Sequence, residues 1–309
     1  MKASVIIPAW GDTPYLAEVR RCLSAQTMPD FEIIVSAPPV GEENAGAARN
    51  AGLARAKGKW IFFVDADDMP APNCLEAAIA VGERTEVDVV AFRADEVDAH
   101  TGIRVPMPYL NRLVPWADGR VHRLNELGSA RFTTLGLMPW NKAVRRDFLV
   151  RHNVRFQSIR RADDVAYSVE LCSQAETFAA LDVALIGYRV NNAGSQEATS
   201  AETPLNFYAA LLETKRRLGG QFDAALNALA KEMFAYHLHS VRNLAAYRQM
   251  LAHLSRHAAA DFGIDVPHTT AKGRNALCFW IGRSWETLRD RGIMFCLRRL
   301  FGRVHLRWP

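Results

Sequence analysis

The chain has 309 residues, 49% of them apolar and 23% charged, enough to bury a full core of catalytic-domain size. Its net charge of +5 is mild, and no stretch interleaves basic and aromatic residues as a nucleic-acid surface does, so nucleic acid is not an expected partner. The five cysteines, Cys22, Cys74, Cys172, Cys278 and Cys296, are odd in number and lack metal-ligand spacing, which reads as reduced thiols in a cytoplasmic protein. Met1-Lys2-Ala3 leads into too short an apolar run for a secretory signal, and no uncharged run reaches the length of a bilayer span.

Ala3 to Ile7 is a short β-branched run closed by Pro8, a strand. Thr13-Pro14 then supplies an N-cap and first-turn proline for a helix with Leu16, Val19 and Leu23 on one face. Phe31 to Val35 is a second strand that breaks at Ser36-Ala37-Pro38-Pro39, and a small-residue helix from about Ala45 to Ala56 stops at Gly58. Trp60 to Val64 is the third strand, Asn73 to Arg84 a helix, and Val87 to Arg93 a fourth strand. Strands alternating with helices predict an α/β fold with a mostly parallel sheet covered on both faces, and ligands bind such sheets beyond the carboxyl ends of the strands. From His100 to Ser129 turn residues accumulate and loops are expected. Ala162-Asp163-Asp164 opens a further helix, Phe178 to Val190 is strand-like, and after Ser200 Ala, Leu, Arg and His recur at helical periods to about Phe262.

The third strand ends in Asp65-Ala66-Asp67-Asp68-Met69-Pro70. Three carboxylates so close repel one another, and a divalent cation is an economical counter-charge. From Lys272 onward the chain carries nine Lys or Arg against Glu286 and Asp290. There Arg298, Arg299 and Arg303 interleave with Leu297, Leu300, Phe301 and Val304, with Trp280, Trp285 and Trp308 nearby, the pattern of a basic amphipathic helix able to lie on an anionic membrane.

Three separated stretches resemble the family 2 glycosyltransferases with the GT-A fold. They are Val5-Ile6-Ile7-Pro8-Ala9-Trp10; then Ala47-Ala48-Arg49-Asn50-Ala51-Gly52-Leu53 leading to Phe63-Val64-Asp65-Ala66-Asp67-Asp68; and Trp140-Asn141-Lys142 followed by Ala162-Asp163-Asp164-Val165. The resemblance covers roughly the first 200 residues. It implies a GT-A catalytic domain over 1–200, with a nucleotide-sugar half over 1–99 and an acceptor half over 100–200, followed by a helical region with a basic tail over 201–309.

The implied reaction is transfer of a sugar, with inversion, from a nucleotide-diphosphate-sugar to an acceptor hydroxyl in cell-surface polysaccharide synthesis. A UDP-sugar is the favoured donor and a saccharide or lipid-linked precursor the acceptor. By the same resemblance Pro8, Ala9, Trp10, Arg49, Asp65, Ala66 and Asp67 line the nucleotide-sugar, with Asp65 toward the ribose and Asp67 as ligand of a divalent cation, manganese or magnesium. Arg189 and Ser195 correspond to a loop that closes over the diphosphate, and Trp140 and Lys142 to the acceptor side. Inversion needs a base opposite the leaving group. The acidic pair supplies Asp164 for that role, with Asp163 where the family commonly has glutamate.

The second strand departs from the pattern. Ser36-Ala37-Pro38-Pro39 stands where the family commonly has Asp-Asp-Gly-Ser, whose first carboxylate recognises the base. A degenerate nucleotide-sugar-binding protein is therefore one alternative. A haloacid-dehalogenase-type phosphatase is another, since it too places Asp-x-Asp after an apolar strand, although it wants that strand near the start of its domain.

Overall fold

The structure, a computed structural model, describes residues 1–11, 13–191, 202–241 and 243–266. Ser195 and the basic tail from Phe279 to Pro309 lie outside the described residues. The chain divides into two units, Met1–Met233 and the part from Phe234 on.

The first unit is built on one nine-stranded sheet with the order β2-β1-β3-β8-β5-β9-β4 along its main path. β1 (Ala3–Pro8), β2 (Phe31–Ser36) and β3 (Trp60–Phe63) are parallel, as are β5 (Val89–Asp98) and β9 (Thr177–Val190). β8 (Lys142–Arg145) runs antiparallel between β3 and β5, and β4 (Met69–Pro70) runs antiparallel to β9. Every residue of β1 is buried, so its two faces carry Val5 and Ile7 on one side and Ile6 on the other, each fully buried and worth about 1.5–3 kcal/mol by removal from water.

Helices α1 (Leu16–Ser24), α2 (Ala45–Arg55), α3 (Cys74–Thr85), α4 (Arg146–Arg151) and α5 (Asp164–Gln174) connect these strands, and α6 (Asn206–Leu218) packs against α5 within the same unit. α2 approaches the sheet closely because its inner face is made of small residues. A side chain at Gly52 would meet Ile6 Cγ2 at 2.4 Å and Ser36 Oγ at 2.8 Å. The second unit holds the end of α7 (Asp223–Ser240) and α8 (Leu244–Phe262), in which Ala246, Met250, Leu254, Ala258 and Phe262 form one buried stripe. Phe234 meets Phe262 edge-on within it, with ring centroids 5.7 Å apart.

The alternating strands and helices stand where the hydrophobic pattern puts them, but the region from His100 to Ser129 is more ordered than expected. β5 continues to Asp98, β6 (Arg104–Pro106) pairs with it, and β7 (His122–Arg123) pairs with β9. These strands are two or three residues long, too short to show a period. β8 escapes notice for the same reason, being four residues with a charge at each end.

Candidate active site

The carboxyl ends of the parallel strands meet at one edge. Pro8 is in register with Ser36, the Ala9 amide donates to the Ser36 carbonyl at 3.0 Å, and the Val64 amide donates to the Ile6 carbonyl at 3.0 Å. Because β8 runs the other way, it delivers Trp140 and Asn141 to this same edge at its beginning, with Ala143 opposite Phe62. Pro8 and Ala9 are buried there, and Trp10 is 39% exposed.

Arg49 is the centre of the arrangement. It projects from α2, is 6% exposed, and donates from one terminal nitrogen to Asp65 Oδ1 at 2.6 Å and from the other to Asp163 Oδ2 at 2.6 Å. The guanidinium also lies 5.3 Å from the centroid of the Phe156 ring. One cation thus joins the end of β3 to the head of α5, reaching Asp163 from 114 residues away in sequence.

Three other residues of α2 and its cap hold the segment that leads into α5. Asn50 exchanges two 3.0 Å hydrogen bonds with the Phe156 backbone, and Asn44, whose side chain caps α2, donates to Ser158 Oγ at 3.0 Å. Gly46 lets the two pieces touch, since a Cβ there would lie 2.1 Å from the Gln157 carbonyl oxygen and 2.9 Å from Asp163 Cβ. Ala162, the residue before the acidic pair, has a left-handed backbone with φ of 60°, strain that the surrounding contacts hold in place. Asn44, Asn50, Gly46 and Phe156 are site-building residues that the sequence reading missed. Asn50 lies within the Ala47 to Leu53 stretch, and the small residues of α2 point to Gly46, whereas nothing local marks Asn44 or Phe156.

The carboxylates have unequal environments. Burial, reinforced by Asp163, raises Asp164 to about 7. Burial also raises Asp163, with Arg49 opposing it. Asp68 is fully buried and pushed well above the carboxylate range by desolvation and then by Asp65 and Asp67. Its Oδ1 accepts from the Arg189 amide at 3.3 Å, and its Oδ2 has no hydrogen-bond partner. Within the acidic run Arg49 is therefore the counter-charge of Asp65, while Asp68 is withdrawn from solvent beneath the loop.

Asp67 is half-buried at the lip. Among the described residues no three His, Cys, Asp or Glu side chains form a metal cage. A hard divalent cation that keeps waters and takes one or two carboxylates plus diphosphate oxygens needs none, so the oxygen donors of this loop fit such an ion.

Arg189, at the end of β9, is 9% exposed. It donates from Nε to the Asp67 carbonyl at 2.9 Å and from a terminal nitrogen to Glu18 Oε2 at 2.8 Å, with its guanidinium 4.1 Å from the Tyr15 ring centroid. It sits beside the Asp65-Ala66-Asp67 loop, with Glu18 and Tyr15 as its other partners. Trp140 and Lys142 are at the edge but buried, at 3% and 1% exposure. Trp140 stacks on Tyr188, with centroids 5.2 Å apart and planes 17° from parallel. The Lys142 ammonium donates to the Gly136 and Met138 carbonyls and to Asn141 Oδ1 at 2.7 to 2.8 Å.

Comparison with known proteins agrees with this geometry. The chain superposes on Staphylococcus aureus TarS 1–349 in complex with UDP-GlcNAc with a TM-score of 0.66 at 19% identity, covering 99% of this chain and 93% of that one. It also superposes on a mannosyltransferase of Pyrobaculum calidifontis in complex with GDP-Man and Mn2+, with a TM-score of 0.51 at 16% identity over 98% and 88% of the two chains. The fold is GT-A, a mostly parallel sheet between helices. Residues 40–150 match the model of glycosyl transferase family 2. The uncharacterised glycosyltransferase EpsJ of Bacillus subtilis is 27% identical over 214 residues, 61% of each chain, so the match spans about three fifths of that relative. The chain is thus similar to family 2 glycosyltransferases, a likeness carried in sequence by residues 40–150 and in fold by the whole sheet.

Proposed function

We propose that the protein is an inverting glycosyltransferase that moves a sugar from a nucleotide-diphosphate-sugar, a UDP-sugar foremost, to a hydroxyl of a saccharide or lipid-linked acceptor. The observation that carries this reading is the Arg49 bridge, which places the Asp65-Ala66-Asp67 loop and the Asp163-Asp164 pair in one site at the carboxyl edge of the sheet. A donor-binding loop and a candidate base are thereby held in a fixed relation, as a displacement with one group on each side of the reacting carbon requires.

Asp164 is the base in this reading. A carboxyl raised to about 7 can accept a hydroxyl proton near neutral pH, where an ordinary carboxylate is too weak a base. Asp163, fixed by Arg49, orients it. Asp67 would hold a manganese or magnesium ion, which supplies charge stabilisation to the departing diphosphate. Arg189 steadies the Asp67 backbone from behind. Pro8, Ala9 and Trp10 border the nucleotide side, with Trp10 the exposed surface available to a ring. Trp140 and Lys142 shape the acceptor side from within the core.

The catalytic part is assigned to residues 1–200, in nucleotide-sugar and acceptor halves divided near residue 99, with 201–309 as the appendage. No helix among the described residues is long and apolar enough to cross a membrane. A cytoplasmic enzyme that reaches a lipid-linked acceptor through peripheral contact of its basic tail is the reading that the tail sequence supports. The test is a panel of UDP-, GDP- and TDP-sugars titrated with and without Mn2+, followed by transfer to saccharide acceptors. Metal-dependent binding of one donor followed by formation of the inverted linkage supports the proposal. Tight binding with no turnover on any acceptor would favour a non-catalytic nucleotide-sugar binder, and release of phosphate from a simple ester would favour a phosphatase.

A further inference from the structure

The buried edge between β8 and α5 contains an unusual capture of backbone. Four consecutive carbonyls, those of Leu135, Gly136, Leu137 and Met138, each accept from a side chain. Asn141 Nδ2 donates to Leu135 at 2.9 Å, Lys142 Nζ to Gly136 at 2.8 Å and to Met138 at 2.7 Å, and Ser168 Oγ to Leu137. The donors are tied together, because Lys142 Nζ also donates to Asn141 Oδ1 at 2.7 Å, and Asn141 Nδ2 reaches the Phe92 carbonyl of β5 at 3.4 Å. Gly136 carries a positive φ of 75°, which a side chain would strain and which turns its carbonyl out of any regular pattern.

A largely buried loop outside the strand ladders is costly unless its carbonyls are satisfied. An ammonium with three donors is the side chain that can serve several acceptors at once. Asn141 and Lys142 belong to the central antiparallel strand and its approach, whereas Ser168 belongs to α5, one turn after Asp164. The loop is therefore a strap between the middle of the sheet and the helix that begins with the acidic pair.

We propose that Lys142 is a positioning residue. With Asn141 and Ser168 it locks the 135–138 strap, so that α5, and with it Asp164, is held at a fixed height over the sheet edge. Its ammonium is committed to the Gly136 and Met138 carbonyls and to Asn141 Oδ1 and not to an acceptor. The kinetic consequence rests on the proposed glycosyl transfer; the structural consequence does not.

Lys142→Met keeps most of the length of the side chain and removes its three donors, and Ser168→Ala removes the α5 side of the strap alone. Hydrogen–deuterium exchange and steady-state kinetics on the full chain, well below the unfolding temperature, read both. In each variant the amides of 135–141 and 164–170 are expected to exchange at least ~10-fold faster while β1 to β3 stay protected. Transfer kcat is expected to fall ~10- to 100-fold, as for a small misplacement of a reacting group, with donor KM within about twofold of wild type. A role limited to general stability would speed exchange throughout and leave kcat of the folded enzyme unchanged, and that result overturns the proposal. So does unchanged exchange over 164–170 in both variants. If Lys142→Met does not fold, Ser168→Ala decides by the same two readouts. If the wild type transfers no sugar, the proposed function fails, and exchange alone still decides on the strap.

Discussion

Removing Arg49 should expose the electrostatic cost of the site directly. In Arg49→Met the cation goes and most of the side-chain volume stays. Asp163, with its side chain 5% exposed, loses its ion-pair partner inside the protein, while Asp65, at 26%, can turn toward water. Breaking a buried pair by deleting one partner costs about 3–5 kcal/mol, and the half-exposed pair adds at most about 1 kcal/mol. For a unit of this size that corresponds to a fall in Tm of roughly 6–24 °C.

The pH dependence has a definite sign. Burial already raises Asp163, and Arg49 opposes that rise, so in the variant its folded pKa moves further above the unfolded value. Stability from a group of that kind is present at low pH and is lost as pH climbs through the folded pKa. The gap between variant and wild type should therefore be widest near pH 8 and narrow toward pH 5.5. Urea unfolding of both proteins at the two pH values measures it. Asp163→Asn added to Arg49→Met should recover stability at pH 8 by removing the orphaned charge. A loss below about 1 kcal/mol at pH 8, or a gap that is the same at both pH values and is not rescued by Asp163→Asn, would refute the reasoning.

Asp164→Asn is expected to keep donor binding and to lose roughly 10²- to 10⁴-fold in transfer, since the amide has the shape of the acid without its basicity. Wild-type kcat should rise through pH of about 7 as Asp164 deprotonates, and the rise should be absent from the residual activity of the variant. Calorimetry of Asp67→Ala should show donor binding that no longer responds to Mn2+ or to chelator; a full metal response in that variant would remove Asp67 as the ligand. Gly46→Ala drives a methyl into the Gln157 carbonyl and Asp163, so it should cost about 1–3 kcal/mol in thermal unfolding and depress kcat more than donor KM.

Much of this was legible from the chain alone. Val5-Ile6-Ile7 and Trp60-Ile61-Phe62-Phe63 are continuous apolar runs, which only a doubly covered strand can bury, so the parallel sheet and its functional edge follow from local pattern. The carboxylates of Asp65-Ala66-Asp67-Asp68 and Asp163-Asp164 announced themselves by type and by position at the end of a strand and the head of a helix. What the sequence could not reveal is how the charges are shared. That Arg49 serves Asp65 and Asp163 together, that Asp68 is buried against the Arg189 amide, and that Arg189 grips the Asp67 carbonyl and Glu18 are facts of distance between residues 16 to 171 positions apart. The antiparallel course of β8 and the burial of Lys142 belong to the same class. A lysine reads as a surface charge in sequence, and only the convergence of three oxygens on its nitrogen, two from a loop folded back over the same strand and one from Asn141, turns it into a buried fastener. Periodicity is a local property that the chain carries by itself, whereas desolvation and counter-charge depend on which distant segments close over a group, and tertiary packing alone decides that.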